Sequence, residues 1–273
     1  MENEIKCPYI IFKLNNSLYC INSKHVSTIV QIPEYSTIPA APANVTGMFK
    51  YRDQVIQMLD LRITFGLKSI ASECSDFEAM IDARKQDHIN WVKELERYIT
   101  EGGTFSLAKD SHQCALGKWY DRYTTDNQAV SSHLRKMEEP HEKLHQSAAL
   151  AEYCMRNKDD EEQQARLSEI LRLAKEEYMP TILTLLDQTK EIFRSSIFKE
   201  MVLILDGLTW GIVVDEIVSV EDLEVIAERQ QEPIVNRSSF IGNVMESSRQ
   251  ESLIFELDIQ NLIMKLAELE SAF

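Results

Sequence analysis

Residues 54–99 read QVIQMLDLRITFGLKSIASECSDFEAMIDARKQDHINWVKELERYI, and the pattern of apolar residues changes within this stretch. It opens with a short apolar run, QVIQMLDL, which follows an expected turn at Arg52-Asp53 and is typical of a β-strand. From about Ser75 the apolar residues recur instead at spacings of three and four, which is the period of an α-helix. The residues that follow this period are Ile81, Ile89, Val92, Leu95 and Ile99. A β region therefore ends and a helical region begins here.

The helical period continues to about Arg194. We predict four helices, at 76–101, 109–121, 127–156 and 160–194, joined by the segments EGGTF, TTD and NKDDEE. The acidic segment NKDDEE suits a helix N-terminus, because carboxylates are stabilised by the positive end of the helix dipole. Four helices joined by short connections predict a four-helix bundle.

Short strand-like runs lie on both sides of the helical region. The N-terminal run YIIFKLNNSLYCINSKHV predicts a β-hairpin that turns at Asn15-Asn16, and LILDGLTWGIVV predicts another that turns at Asp206-Gly207. IGNVME and SLIFELDI add further strands, and NLIMKLAELE predicts a closing amphipathic helix. The order β, α, β indicates that the helices are inserted into one β domain. We expect its parts at 1–70 and 196–273, with the insertion at 76–194.

Charge and composition exclude several classes of function. A net charge of -15 disfavours nucleic acids and anionic membranes, because binding to phosphates requires a basic patch. The opening MENEIKCPYI has no apolar leader core, and no stretch approaches the ~20 apolar residues that span a bilayer. We therefore expect a cytoplasmic protein, in which the cysteines are thiols or metal ligands.

Three elements of the helical region contain residues that commonly bind metals: His88 in HINW, Cys114 in CALGKW, and His141 with His145 in PHEKLH. His141 and His145 are four apart and lie on one helix face, so both rings can reach one ion. His88 and Cys114 lie on other predicted helices, near Trp91 and Trp119, whose rings suit a dry shell. Three imidazoles and one thiolate complete the tetrahedral shell that zinc prefers.

These elements, in this order, resemble the chemoreceptor zinc-binding (CZB) family over about residues 80–156. The resemblance implies one Zn2+ per chain, held by His88, Cys114, His141 and His145, and a sensory role for zinc or for oxidants that attack the bound thiolate. Cys114 is then the redox-reactive residue, and Lys118 one turn along adds positive potential. His25, His112 and His133 match no ligand position. Zinc that only stabilises the bundle remains the alternative.

The flanking β regions resemble the CheW-like coupling domain, a pair of small β-barrels that links chemoreceptors to a histidine kinase. The residues that carry this resemblance are IPAAPANVTGMFKYRDQVIQMLDLR, LDGLTWGIVVDEIVSV and LIFELDIQNLI. It implies an α+β multidomain fold, CheW-like barrels interrupted by an inserted four-helix zinc-binding bundle. It also implies chemoreceptors and a CheA-type histidine kinase as partners.

By this resemblance Gly47 and Arg52 fall at receptor-contact and structural positions, and Val26 starts a strand used for partner contact. Thr28 stands where an acidic residue is common and Asp53 where glycine is usual, so both depart from the family pattern. Asp60 and Arg62 are expected to form an ion pair or cap inside the fold. Self-association through the helical domain is a further expectation.

An enzyme is the rival interpretation, because His141–His145 satisfies HExxH, the motif of zinc hydrolases, with Glu142 as the candidate base. A hydrolytic site keeps an open metal position, whereas His88 and Cys114 fill both remaining places. A di-iron bundle requires two Glu-x-x-His pairs, and Glu138 with His141 supplies one. We therefore expect no catalytic residues and no enzymatic activity.

Overall fold

The computed structural model describes residues 7–125, 127–156, 160–226 and 240–271. The chain divides into two compact units: a β unit, Met1–Ser72 with Lys199–Phe273, and a helical unit, Glu73–Phe198. The first six residues, the end of the TTD connection and the start of the NKDDEE connection lie outside the described residues. Sheets in one unit and helices in the other confirm the predicted α+β class with a helical insertion.

The strands of the β unit are short, and the unit also contains a four-residue helix and the closing helix. The strands are β1 Tyr9–Leu14, β2 Ser17–Asn22, β3 Val26–Gln31, β4 Val45–Tyr51, β5 Gln54–Asp60, β6 Met201–Leu205, β7 Trp210–Val214, β8 Glu216–Glu221, β9 Glu224–Val225, β10 Ile241–Ser247 and β11 Gln250–Leu257. The short helix is α1, Leu61–Thr64, and the closing helix is α8, Ile259–Ser271.

Among the described residues these strands form a six-stranded sheet of order β8-β1-β2-β11-β10-β9 and a five-stranded sheet of order β3-β6-β7-β5-β4. Each sheet contains strands from before and after the helical unit. They meet in two parallel pairs, β2 with β11 and β5 with β7, and in two antiparallel pairs, β1 with β8 and β3 with β6. Neither sheet is complete without both parts of the chain, so the helical unit interrupts one β fold.

The predicted hairpin turns are confirmed. β1 pairs with β2 around Asn15, which has φ 55°, and β6 pairs with β7 around Gly207, which has φ 69°. β4 pairs with β5 around Arg52, which has φ 52°. β7 is buried along its whole length, as expected for a strand covered on both faces.

The helical unit consists of one long helix followed by shorter ones. Its helices are α2 Ile70–Glu101, α3 Ala115–Tyr120, α4 Gln128–Arg135, α5 Glu138–Met155, α6 Glu161–Leu173 and α7 Met179–Ser196, with a 3-10 turn at Ser111–Gln113 and a π-helical turn at Ala174–Tyr178. Ile81, Leu95, Leu144, Ile182 and Leu186 are fully buried in its core. No helix in the described part of the chain is long and apolar enough to cross a membrane.

Three of the predicted helices differ from the structure, and a proline explains two of the differences. The helix expected at 127–156 is interrupted between Arg135 and Glu138, because Pro140 has no N–H to donate to the Lys136 carbonyl. The helix expected at 160–194 contains the π-helical turn directly before Pro180, which has no N–H for the Glu176 carbonyl. The segment expected as one helix at 109–121 is a 3-10 turn followed by the short α3.

Asp60 and Arg62 both act inside the β unit, Asp60 as a helix cap and Arg62 in an ion pair with Asp215. The Asp60 carboxylate accepts a hydrogen bond from the Ile63 N–H and caps α1. The buried Arg62 guanidinium donates to both oxygens of Asp215, at 2.6 and 2.7 Å, and to the Lys68 carbonyl. Asp215 also accepts from the Asn15 N–H, so this carboxylate joins α1 to the first hairpin.

Glu200, one residue before β6, gives the β unit a pH-dependent stability. Burial and the neighbouring carboxylates of Asp60 and Asp215 raise its pKa from 4.5 to about 7. The folded state therefore keeps a proton that the unfolded state releases, and the contribution of Glu200 becomes less favourable as pH rises from about 4.5 to about 7.

We expect Glu200→Gln to raise the stability of the β unit at pH 8 by about 1–2 kcal/mol, and to change it little at pH 4.5, where Glu200 itself is protonated. Hydrogen exchange of the β6 and β7 amides measures this, with the exposed Glu224→Gln as control. An equal pH response in wild type and Glu200→Gln would contradict the assignment.

Candidate metal centre

The structure brings together the four residues that the sequence analysis selected as metal ligands. His88 lies on α2, Cys114 directly precedes α3, and His141 and His145 lie one turn apart on α5. Their ligand atoms all lie within 4.8 Å of one another. His88 and His145 are 2% and 1% exposed, so both rings are almost completely shielded from solvent.

Two of the histidines are oriented by backbone carbonyls. His88 Nδ1 donates to the Arg84 carbonyl at 2.7 Å, and His145 Nδ1 donates to the Ala108 carbonyl at 2.8 Å. These bonds fix the tautomer and leave each Nε2 as a lone-pair donor, as in metal-binding histidines. Both Nε2 atoms are buried and have no hydrogen-bond partner within the described ranges. A buried polar atom without a partner is costly, and a metal ion bound to both would remove that cost.

Cys114 is the N-cap of α3, and its sulfur is held by the start of that helix. The Gly117 N–H donates to Cys114 Sγ at 3.3 Å, and His141 Nε2 lies 3.3 Å from the same sulfur. Gly117 permits this arrangement, because a Cβ there would meet the Ser111 carbonyl oxygen at 2.0 Å. The helix thus packs closely on the 3-10 turn before it and places the thiol beside His141.

The electrostatics of the cluster favour neutral imidazoles. Burial, together with the neighbouring histidines, lowers the pKa of His141 to about 2, and burial lowers the pKa of His145 to about 4. Burial likewise lowers the pKa of His88. At neutral pH all three rings are therefore unprotonated, which is the form that binds a metal.

The pKa of the Cys114 thiol shifts in the opposite direction to the pKa values of the histidines. Burial raises its pKa, while the N–H groups of Gly117 and Leu116 and the Arg84 guanidinium oppose this rise. The free thiol is therefore protonated at neutral pH, and a bound cation would favour the thiolate. Three neutral nitrogens and one sulfur form the donor set that zinc binds in closed sites, so the residues fit a zinc ion.

The surroundings include residues that the sequence analysis missed. The Ala108 carbonyl accepts from both His145 Nδ1 and Trp91 Nε1, and the Trp91 ring lies 5.1 Å from the His145 ring. Arg84 supplies both a carbonyl for His88 and the positive charge near Cys114, the role expected of Lys118. The Trp119 ring packs against Phe77, Tyr123 and Phe193. Carbonyl partners have no side-chain signal, so only the fold could reveal Ala108.

The remaining histidines lie outside the donor set. His133 Nε2 is hydrogen-bonded to the Leu185 carbonyl and Thr189 Oγ1, each at 3.0 Å, which joins α4 to α7. His112 Nδ1 lies 3.0 Å from both carboxylate oxygens of Asp121. His25 ends a 3-10 turn in the β unit. Glu142, the candidate base of the HExxH interpretation, is exposed and accepts from Gln146.

The three candidate partner-contact residues lie apart along the five-stranded sheet. Val26 begins β3 at one edge of the sheet, and Gly47 lies in β4 at the other edge. A Cβ at Gly47 would lie 2.5 Å from the Ser36 carbonyl oxygen. This close packing is enough to require glycine at position 47, whether or not the residue contacts a partner. Arg52 is exposed in the β4–β5 turn, with its guanidinium 5.2 Å from the Tyr51 ring centre. Their role in partner binding stays a prediction.

Comparison with known families finds two domains. Residues 8–88 match the CheW-like domain, and residues 88–151 match the chemoreceptor zinc-binding domain. The first match continues from the strands into α2, and the second begins at His88 and contains the other three candidate ligands.

Individual relatives match only part of the chain. The chemotaxis protein CheW of Treponema pallidum is 32% identical over 74 residues, 27% of this chain and 44% of that protein. The chemotaxis protein CheW of Helicobacter pylori is 32% identical over 68 residues, 25% of this chain and 41% of that protein. The chain therefore spans less than half the length of these relatives. The scaffolding protein TtCheW of Thermoanaerobacter tengcongensis aligns over 93% of this chain and 90% of its own, at 11% identity and a TM-score of 0.39, too low to bear on the fold.

Proposed function

We propose that this chain, which carries a CheW-like domain and an inserted chemoreceptor zinc-binding domain, is a non-enzymatic scaffold that couples chemoreceptors to a CheA-type histidine kinase. Its helical unit binds one zinc ion through His88, Cys114, His141 and His145 and senses zinc or oxidants. The observation that carries the proposal is a four-donor cluster of three buried histidines and a half-buried cysteine, in a unit inserted between strands that share the same sheets.

The donor set favours a closed site over a catalytic one. When bound, zinc supplies a positive charge that holds Cys114 as a thiolate, the form that oxidants attack. Four protein donors complete a tetrahedral shell, whereas zinc hydrolases keep one position for water. Glu142 follows His141 in sequence but is exposed and bonded to Gln146. A hydrolase is therefore the weaker candidate.

A sensory role requires that the state of the metal site changes the binding of a partner. The helical unit leaves the β unit after β5 and returns before β6, and both strands belong to the five-stranded sheet. A rearrangement of the helices can thus act on this sheet through two covalent connections. Zinc or an oxidant influences partner binding only if it favours one conformation of the β unit over another. The alternative is a constitutive coupling protein in which zinc is purely structural.

We expect the affinity of the purified chain for a chemotaxis kinase regulatory domain to differ between zinc-loaded, chelated and hypochlorite-treated samples. Coupling between sites is typically worth a 5–150-fold change in affinity. Cys114→Ala should remove the response to hypochlorite, whereas Cys74→Ala, a half-buried cysteine of the helical unit outside the donor set, should preserve it.

The outcomes separate the candidates. Binding that is indifferent to all three treatments would leave zinc a structural ion and favour the constitutive alternative. Absence of kinase binding would refute the coupling role itself. The cytoplasmic location and the homodimer through the helical unit stay predictions, and sedimentation of zinc-loaded and chelated chain tests the homodimer.

A further inference from the structure

A cavity of about 340 Å³ opens beside the metal centre within the helical unit. His141 lines it, and so do Leu116 and Gly117, which follow Cys114 at the start of α3. Among the three candidate histidine ligands, His88 and His145 are more deeply buried than His141. The cavity therefore adjoins the accessible side of the donor set.

The polar lining of this cavity suits a cation. Its wall contains His112, Asp121, Glu138 and Glu142. Tyr120 donates its phenol hydrogen to Glu138, so this carboxylate already has a partner in the wall. Asp121 and Glu142 add negative charge, and a concave surface lined with one sign of charge concentrates ions of the other sign.

His112 is arranged as a metal-binding histidine is. Its Nδ1 lies 3.0 Å from both oxygens of Asp121, which orients the ring through a carboxylate and leaves Nε2 for another partner. In His88 and His145 likewise, Nδ1 is held by a backbone carbonyl and Nε2 is left for another partner. The side chain of His112 is 67% exposed, so it stands at the outer end of the cavity, within reach of ions in solution.

We propose that this cavity is the exchange site through which a divalent metal ion enters and leaves the buried centre, with His112, Asp121 and Glu142 as transient ligands. The unpartnered Nε2 atoms of His88 and His145 are the observation that calls for an ion inside. The carboxylates replace part of the water shell of the incoming ion before it meets His141. This inference rests on the proposed zinc site and adds its route of loading.

The test measures rates separately from equilibrium. Zinc uptake by the chelated full-length chain, and its transfer to an excess of a chromophoric chelator, are followed by stopped flow for wild type, His112→Gln and the double variant Asp121→Asn/Glu142→Gln. Glu139→Gln is the matched control, because Glu139 is an exposed carboxylate of α5 that does not line the cavity.

We expect uptake by the double variant to slow about tenfold or more and to depend less on ionic strength than uptake by wild type. Zinc content should stay at one ion per chain, and the Co2+ thiolate absorption should not change. His112→Gln should slow both uptake and transfer, while Glu139→Gln matches wild type. Equal rates in all variants that bind one zinc would overturn the exchange site alone. A wild-type chain that binds no zinc would overturn the zinc site as well.

Discussion

Replacing His145 by alanine abolishes stoichiometric zinc binding and loosens the helical unit; this is the largest effect we expect from a single substitution. Removing only an outer partner of a metal ligand costs about 10–100-fold in affinity, so losing the ligand itself should cost more than about 100-fold. A metal ion that binds only the folded site stabilises the folded unit, so the helical unit becomes less stable when the site no longer forms.

His133→Gln provides the matched comparison. His133 is another buried histidine of the same unit, 3% exposed, but it bonds to Leu185 and Thr189 outside the donor set. We expect this variant to keep one zinc per chain at wild-type affinity while its stability falls by about 1–3 kcal/mol. Competition with a metal indicator gives the affinity, and hydrogen exchange of α2 and α5 gives the local stability.

Two results would count against this assignment. Zinc retained at full affinity by His145→Ala would exclude His145 as a ligand. Equal losses of zinc by His145→Ala and His133→Gln would mean that any disturbance of the unit releases the ion, and the donor set would then need spectroscopic assignment with Co2+.

The sequence predicts the local parts of the fold well because their signals are local. Asn15-Asn16 and Asp206-Gly207 predict hairpin turns from the conformations that these residues allow, and the structure contains both hairpins. The parallel pairs β2–β11 and β5–β7 have no comparable signal. They join segments on opposite sides of the helical unit, and only the packing of the whole β unit selects their register. Pro140 is visible in the sequence, but the helical periodicity continues across it, so the break between Arg135 and Glu138 is not predicted.

The candidate site, like the fold, is predicted by the sequence only where the signal is local. The spacing of His141 and His145 follows from helix geometry, and the resemblance to the CZB family added His88 and Cys114, which the structure brings together with them. Their role as zinc ligands stays a prediction. The carbonyl of Ala108 and the charge of Arg84 depend on how the loop before α3 and the helix α2 pack around the rings. No residue pattern encodes those contacts.

The ion pair between Arg62 and Asp215 contributes to the stability of the β unit. We expect Arg62→Met to destabilise this unit by about 3–5 kcal/mol. The substitution leaves Asp215, whose side chain is 14% exposed, without its guanidinium partner and next to the carboxyls of Asp60 and Glu200. It also removes the hydrogen bond to the Lys68 carbonyl, which lies on the connection toward the helical unit. Arg52→Met, at an exposed turn, should change stability by less than about 0.5 kcal/mol.

A double variant separates the ion pair from the general cost of changing a core residue. Replacing both partners of a buried pair by apolar residues is often nearly neutral, whereas removing one leaves a buried charge. Arg62→Met/Asp215→Leu should therefore recover part of the stability that Arg62→Met loses, although Asp215→Leu also removes the bond from the Asn15 N–H. Urea unfolding followed by exchange of the β7 amides measures all variants. If the double variant is less stable than Arg62→Met by the full cost of Asp215→Leu alone, the two residues are energetically independent. The stability of α1 would then come from the Asp60 cap and apolar packing.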